Sequence, residues 1–211
     1  MPTTAISAPL EVTSVDELLD AARVLVDSDV RGIAARPEFP ISCGPGCGAC
    51  CRQAVPVTAA ELRAVRAWLD GLPDDERMAH ERRIAATKTR LDAANAEAIG
   101  IENERAYFAL GIACPFLVDE SCSIHPARPL ACREYVVTSD PAHCATRADG
   151  QIVRISATHD VLGAFAAVSA ELGEPVEYLL APAIARPVPE APVLEPRPTP
   201  DLLRTLMGRP T

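Results

Sequence analysis

Apolar positions recur at helical spacing over much of the chain, and strict alternation is almost absent. Leu18, Leu19, Ala22, Leu25 and Val26 give residues 15–36 one apolar face, and Ser14 with Glu17 forms a capping-box pattern ahead of it. Pro37 and Pro40 end that helix. Thr58 with Glu61 marks a second start, and Leu62, Val65 and Leu69 carry it over 58–71 until Gly71 and Pro73 close it. A long helical stretch is predicted over 74–109, its first part (DDERMAHERRIAATKTR) strongly charged. Another helix is predicted over 159–172, ended by Gly173, and Pro175 suits the first turn of one more at 176–185. Alternation appears at Gln151–Ile155, a candidate strand. Residues 187–200 are Pro-rich and expected to be extended, with a short helix possible over 200–207. The pattern reads as mainly α: one helical domain over 1–186 and a Pro-rich C-terminal extension over 187–211.

Composition agrees. Apolar residues make up 48 % of the chain, enough for a core, and aromatics only 4 %, with Trp68 the single tryptophan and read as core. The apolar content is mostly Ala, Leu and Val, which suits helix packing better than a β-sandwich. A net charge of −9 disfavours a nucleic-acid partner. Arg82, Arg83, Lys88 and Arg90 read as a solvated helix face, because acidic partners lie nearby. No apolar run is long enough to cross a membrane, and the N-terminus lacks a basic region followed by an apolar one. The expectation is therefore a cytoplasmic protein with no membrane partner.

Two segments without helical periodicity carry all eight cysteines. Cys43, Cys47, Cys50 and Cys51 lie in the Gly-rich ISCGPGCGACC. Cys114, Cys122, Cys132 and Cys144 are spread over a second stretch that includes CPFLVDESCSIHPARPLACREY, and 62 residues without cysteine separate the groups. Such thiols hold a metal, hold an iron–sulfur cluster, or pair as disulfides. A reducing cytosol argues against four structural disulfides. Cys47 and Cys50 have dithiol redox spacing, but no βαβ pattern surrounds them. Cys43, Cys47 and Cys50 have the spacing of radical enzymes that use S-adenosylmethionine. The strand-and-barrel pattern of those enzymes is absent, and the match is taken as coincidental. Buried but unconnected cysteines are the bland alternative.

Cys50 and Cys51 are adjacent, and neighbouring side chains usually point apart. That suits two metals or a multinuclear cluster better than one zinc. The eight thiols could form two four-thiolate sites, or a cluster beside a structural zinc; spacing alone leaves this open. With little core periodicity, residues 112–146 are expected to be held by something other than a core, and to depend on the metal for their order.

GCGACC, then PVTAAEL, then CPFLVDESCSIHPARPLACREY resembles the CxxCxxCC family of zinc- or iron-chelating proteins, also called the YkgJ-like cysteine-cluster family. The likeness covers about residues 41–145. Three residues separate Cys43 from Cys47, where the family pattern has two. The resemblance implies metal chelation through the matched cysteines. Iron–sulfur is placed ahead of zinc because eight thiols exceed one zinc's needs. Flagellin lysine methylases contain a similar cluster, so an iron–sulfur-dependent modifying enzyme is the alternative.

Around the site, Arg128 and Arg133 are read either as neutralising thiolate charge or as pairing with Glu120 or Glu134. His125 and His143 are read as neighbours or exposed residues rather than ligands. His80 and His159 are read as structural or exposed. Tyr135 either donates a hydrogen bond to sulfur or packs.

Overall fold

The computed structural model describes residues 11–12, 14–44, 46–99, 103–147, 150–155, 160–174, 178–192 and 197–198. Among them are eight helices: α1 Val15–Ala34, α2 Ala59–Asp70, α3 Asp74–Ala93, α4 Glu104–Ala109, α5 Leu130–Glu134, α6 Pro141–Thr146, α7 Val161–Glu171 and α8 Leu180–Ala183. Strands are two residues each and pair antiparallel: β1 Glu11–Val12 with β6 Arg197–Pro198, β2 Pro56–Val57 with β5 Tyr178–Leu179, and β3 Leu117–Val118 with β4 Ser121–Cys122. The fold is mainly helical, as the pattern implied. No strand-and-barrel or βαβ unit occurs among the described residues.

The predicted caps form. Ser14 Oγ accepts from the Glu17 amide at 3.2 Å. Thr58 Oγ1 accepts from the Glu61 amide at 3.2 Å while Glu61 Oε2 accepts from the Thr58 amide at 2.8 Å. Val15, Leu18, Leu19, Ala22 and Val26 of α1 pack with Ala60 of α2, Leu130 of α5, and Val161, Phe165 and Val168 of α7. A second core joins Leu62, Val65 and Leu69 of α2 to Ile84 of α3, Phe116, Ile124 and Leu180, with Trp68, Cys114 and Cys122 packed against it.

Three expectations change. The helix over 74–109 is broken: α3 stops at Ala93, Asn95 takes a left-handed φ of 50°, a 3-10 turn spans Ala96–Ile99, and Asn103 then caps α4 by accepting from Ala106. Asn tolerates the left-handed region better than most residues, so AANAE ends a helix that its composition would continue. Over 176–185, Tyr178–Leu179 pairs with Pro56–Val57 before the short α8; strand pairing wins where a helix was expected, and residues 175–177 lie outside the described ones. Residues 112–146 are not held by metal chemistry alone, because Phe116, Ile124, Leu130 and Val137 are fully buried. These apolar residues follow no period, which hid their core role.

The candidate strand at Gln151–Ile155 is a short pairing: Arg154 bridges Val137, and the Ile155 amide donates to the Val136 carbonyl at 3.0 Å. The helix over 159–172 is α7, capped by Asp160 accepting from Gly163 at 2.9 Å. His159 and the helix over 200–207 lie outside the described residues. No helix is long and apolar enough to cross a membrane among the described residues.

Candidate metal centre

The first cysteine segment turns sharply. Gly46 has φ 83°, a conformation glycine adopts without strain. A 3-10 turn, Ala49–Arg52, then presents Cys50 and Cys51. Gly48 serves differently. A Cβ there would stand 2.4 Å from Leu117 Cδ1 and 2.9 Å from the Glu120 carbonyl, so glycine lets this turn lie against the β3–β4 hairpin that carries Cys122. Arg52 reaches Glu120 at 2.9 Å across the same junction.

Further contacts bring the segments together. The Cys114 amide donates to the Cys51 carbonyl at 2.7 Å. Ser42 is zipped to the chain before α6: its amide donates to the Val137 carbonyl at 2.9 Å, its hydroxyl donates to the carbonyls of Val137 and Ser139, and the Val137 amide donates to Cys43 Sγ at 3.4 Å. Helix α6, which carries Cys144, packs against the Ala49–Arg52 turn. The turn thus contacts both the backbone at Cys114 and the helix that carries Cys144.

Cys50, Cys51, Cys114, Cys122 and Cys132 line one cavity of about 230 Å³. Its other walls are apolar (Val55, Phe116, Ile124, Leu180) with Arg128, Glu134, Tyr135 and Arg154 set among them. Cys43, Cys47 and Cys144 do not line it; they neighbour one another and Cys50. All eight thiols are free. No three Cys, His, Asp or Glu side chains among the described residues converge closely enough to hold one metal ion. The five thiols ring a space instead of meeting at a point.

Electrostatics keep most of these sulfurs protonated without metal. Burial pushes the Cys114 thiol up to about 12 and raises Cys43, Cys122, Cys132 and Cys144. Cys50 is the exception: a hydrogen bond from the Cys51 thiol lowers it, and the same bond with burial holds Cys51 protonated. Arg128 also favours the charged form of Cys50 and Cys122. Burial lifts the Glu134 carboxyl to about 7 although it accepts from the Leu162 amide.

The two arginines have different roles. Arg128 lines the cavity, with a buried Nε that has no hydrogen-bond partner. Arg133 turns away: it pairs with Asp27 at 2.7 Å and donates to the carbonyls of Arg128 and Pro126. Its partner is neither Glu120 nor Glu134. Replacing Arg133 by Lys keeps a charge beside Asp27 but loses the fork. The expected cost is about 2 kcal/mol, a fall in Tm of about 4–8 °C, with unchanged metal per folded chain. Arg128→Lys retains the cavity's charge and should leave both readouts near wild type. Thermal scans with metal analysis check the pair.

The Tyr135 hydroxyl accepts from Gln53 at 3.2 Å, and Arg154 lies 4.6 Å from its ring centroid. His125 is exposed, and His143 Nδ1 faces the Gln151 carbonyl at 3.2 Å. His80 is buried between Trp68 and Phe116. In the charged stretch, Lys88 pairs with Asp92 at 2.6 Å. Sequence reasoning saw Glu61 only as a cap. It also accepts from the Leu130 amide at 2.7 Å, fixing the start of the helix that carries Cys132. No local signal points to a partner 69 residues away.

The family model CxxCxxCC, described as a putative zinc- or iron-chelating domain, matches residues 42–153. No curated protein and no solved structure matches the chain.

Proposed function

The chain belongs to the CxxCxxCC family of zinc- or iron-chelating domains, and on that premise we propose that it holds an iron–sulfur cluster in the cavity ringed by Cys50, Cys51, Cys114, Cys122 and Cys132. One observation carries this reading: five thiols surround about 230 Å³ without converging on a point. A tetrahedral zinc with bonds of about 2.3 Å needs sulfurs roughly 3.8 Å apart and leaves no cavity. A cluster takes thiolates spaced around a larger body. Arg128 supplies positive charge against the thiolates, and apolar walls limit water at the sulfurs. Bound there, a cluster supplies one-electron chemistry. Eight free cysteines call for a reducing compartment, which supports a cytoplasmic location.

Protein purified without oxygen should be brown, with visible charge-transfer absorption and about four irons and four sulfides per cubane cluster. Colourless protein with stoichiometric zinc and no iron would remove the cluster and leave chelation intact.

The alternative is a cluster-dependent modifying enzyme. It is favoured by Glu134, a cavity-lining carboxyl lifted to about 7 and so able to exchange a proton near neutral pH. A change in the cluster's electron paramagnetic resonance on adding a methyl donor or a lysine peptide would select this reading over simple chelation.

A further inference from the structure

We propose that His80 is an acid-sensitive latch: its neutral ring fastens α3 to the second cysteine segment, and protonation releases that join. The latch stands apart from the metal-binding reading above, and only its consequence for bound metal rests on that reading.

Helix α3 is held by few apolar residues. Those it buries are His80, Ile84, Thr87 and Leu91, one stripe along the helix, and two of the four are polar. His80 is 5 % exposed. Its ring lies edge-on to Trp68 of α2 and tilted against Phe116, each at a centroid distance of 5.9 Å. Phe116 ties down the second cysteine segment. Its carbonyl accepts from the Ser123 amide at 2.8 Å and the Ser123 hydroxyl at 2.9 Å, closing the β3–β4 hairpin that lies between Cys114 and Cys122 along the chain. The imidazole is thus a wedge shared by α2, α3 and the chain that enters that hairpin.

One neighbour fixes its protonation state. Arg83 Nη2 stands 3.0 Å from His80 Nδ1. A guanidinium only donates, so Nδ1 accepts and the ring is neutral, with its proton on Nε2. A second proton has to enter at Nδ1. That breaks the bond and sets a cation against a cation between two aromatic rings. The other charged groups facing the ring, Glu76 and Glu81, are also on α3, and Glu81 is engaged by Arg66 of α2 at 2.6 Å. Trp68 and Phe116 carry no charge. Burial and Arg83 outweigh the two carboxylates and hold the ring below its ordinary 6.5. The folded chain therefore takes this proton less readily than the unfolded one. Stability from the latch is whole above pH 6.5 and is lost as pH falls below it, by up to about tenfold in the unfolding constant per pH unit. Phe116 then loses a packing partner, and bound metal loses part of the frame around it.

The test follows Trp68 emission of the full chain from about pH 8 down to about pH 4.5, a window that spans histidine titration. Trp68 is the single tryptophan, and an imidazolium beside an indole quenches it. Wild type is expected to lose emission in one step below pH 6.5 with circular dichroism unchanged. His80→Gln keeps an acceptor for Arg83 and cannot titrate. It is expected to show no step and a smaller fall of the denaturation midpoint in acid. His125 and Glu134 titrate in both proteins and cancel in that comparison. Arg83→Gln removes the opposing cation and is expected to move the step to higher pH. The same step in His80→Gln, or none in wild type, overturns the latch. So does a step left unmoved by Arg83→Gln, which decides the question if His80→Gln does not fold. Metal content is measured on the same samples. Thiolate protonation releases metal from both proteins, and wild type is expected to release it at the higher pH. Release at equal pH overturns the hold on metal. Protein without metal at neutral pH removes the metal reading by itself, and emission alone then decides the latch.

Discussion

Metal-free protein will lose amide protection first at residues 41–54 and 138–147, while α1, α2 and the stretch from Phe116 to Leu130 stay protected. The reason lies in what each segment buries. Among the described residues between 41 and 54 only Gly48 is buried, and between 138 and 147 only Cys144 is. The Ala49–Arg52 turn buries no residue. These segments carry Cys43, Cys47, Cys50, Cys51 and Cys144, and hydrogen bonds such as Ser42–Val137 are their main remaining ties. Phe116, Ile124 and Leu130, by contrast, are fully buried with α1, α2 and α7. Metal-binding energy is folding energy for a segment that cannot bury a core of its own. Exchange in the two segments should accelerate by about a hundredfold or more on chelation, equivalent to about 2.8 kcal/mol. Hydrogen exchange with and without metal measures this. Equal protection in both states would mean that the backbone ties suffice and the metal organises nothing.

That pattern also marks where the sequence was legible. The helices with local signals are where the periodicity put them: α1 behind Ser14, α2 behind Thr58 and α7 ended near Gly173. Each carries its own cap and its own apolar face. The break at Asn95 was missed because composition favoured continuation, and a single left-handed residue overrides composition without changing it. The cysteines were legible as a set. Their grouping was not, because it depends on contacts with no local period: Gly48 against Glu120, Ser42 on Val137, and Cys114 on Cys51. The second cysteine segment was misjudged in the same way. Phe116 and Ile124 enter the core from turns, and Leu130 from the first residue of the short α5, where spacing gives no warning. Arg128 and Arg133 looked equivalent five residues apart, and only the position of Asp27 on α1 separates them.

Glu61→Ala should destabilise the fold about as much as truncating a buried aromatic residue of the core. The carboxylate is fully buried and serves three donors: the Thr58 amide and hydroxyl, and the Leu130 amide. Alanine leaves two buried amides without acceptors, at about 1–3 kcal/mol each, and opens a cavity, for a total of about 3–5 kcal/mol. That is a large share of a typical domain's stability. Glu61→Gln keeps the shape and one acceptor oxygen, so about 1–2 kcal/mol is expected. Its pH dependence has a definite sign. Burial outweighs the hydrogen bonds and raises the Glu61 carboxyl above its ordinary 4.5. The folded chain therefore holds that proton more tightly than the unfolded one. Wild type should lose stability relative to Glu61→Gln as pH rises from about 4.5 through the raised value. The consequence at the site follows from chain geometry. Leu130 opens α5 and Cys132 comes two residues later, so an amide freed at Leu130 releases the start of the helix that sets this sulfur. Glu61→Ala should bind less metal per folded chain, with Glu61→Gln restoring most of it. Denaturant titration beside metal analysis of the folded fraction separates the two effects. Lower stability with full metal content in both variants would leave Glu61 a helix cap and remove its role in placing Cys132.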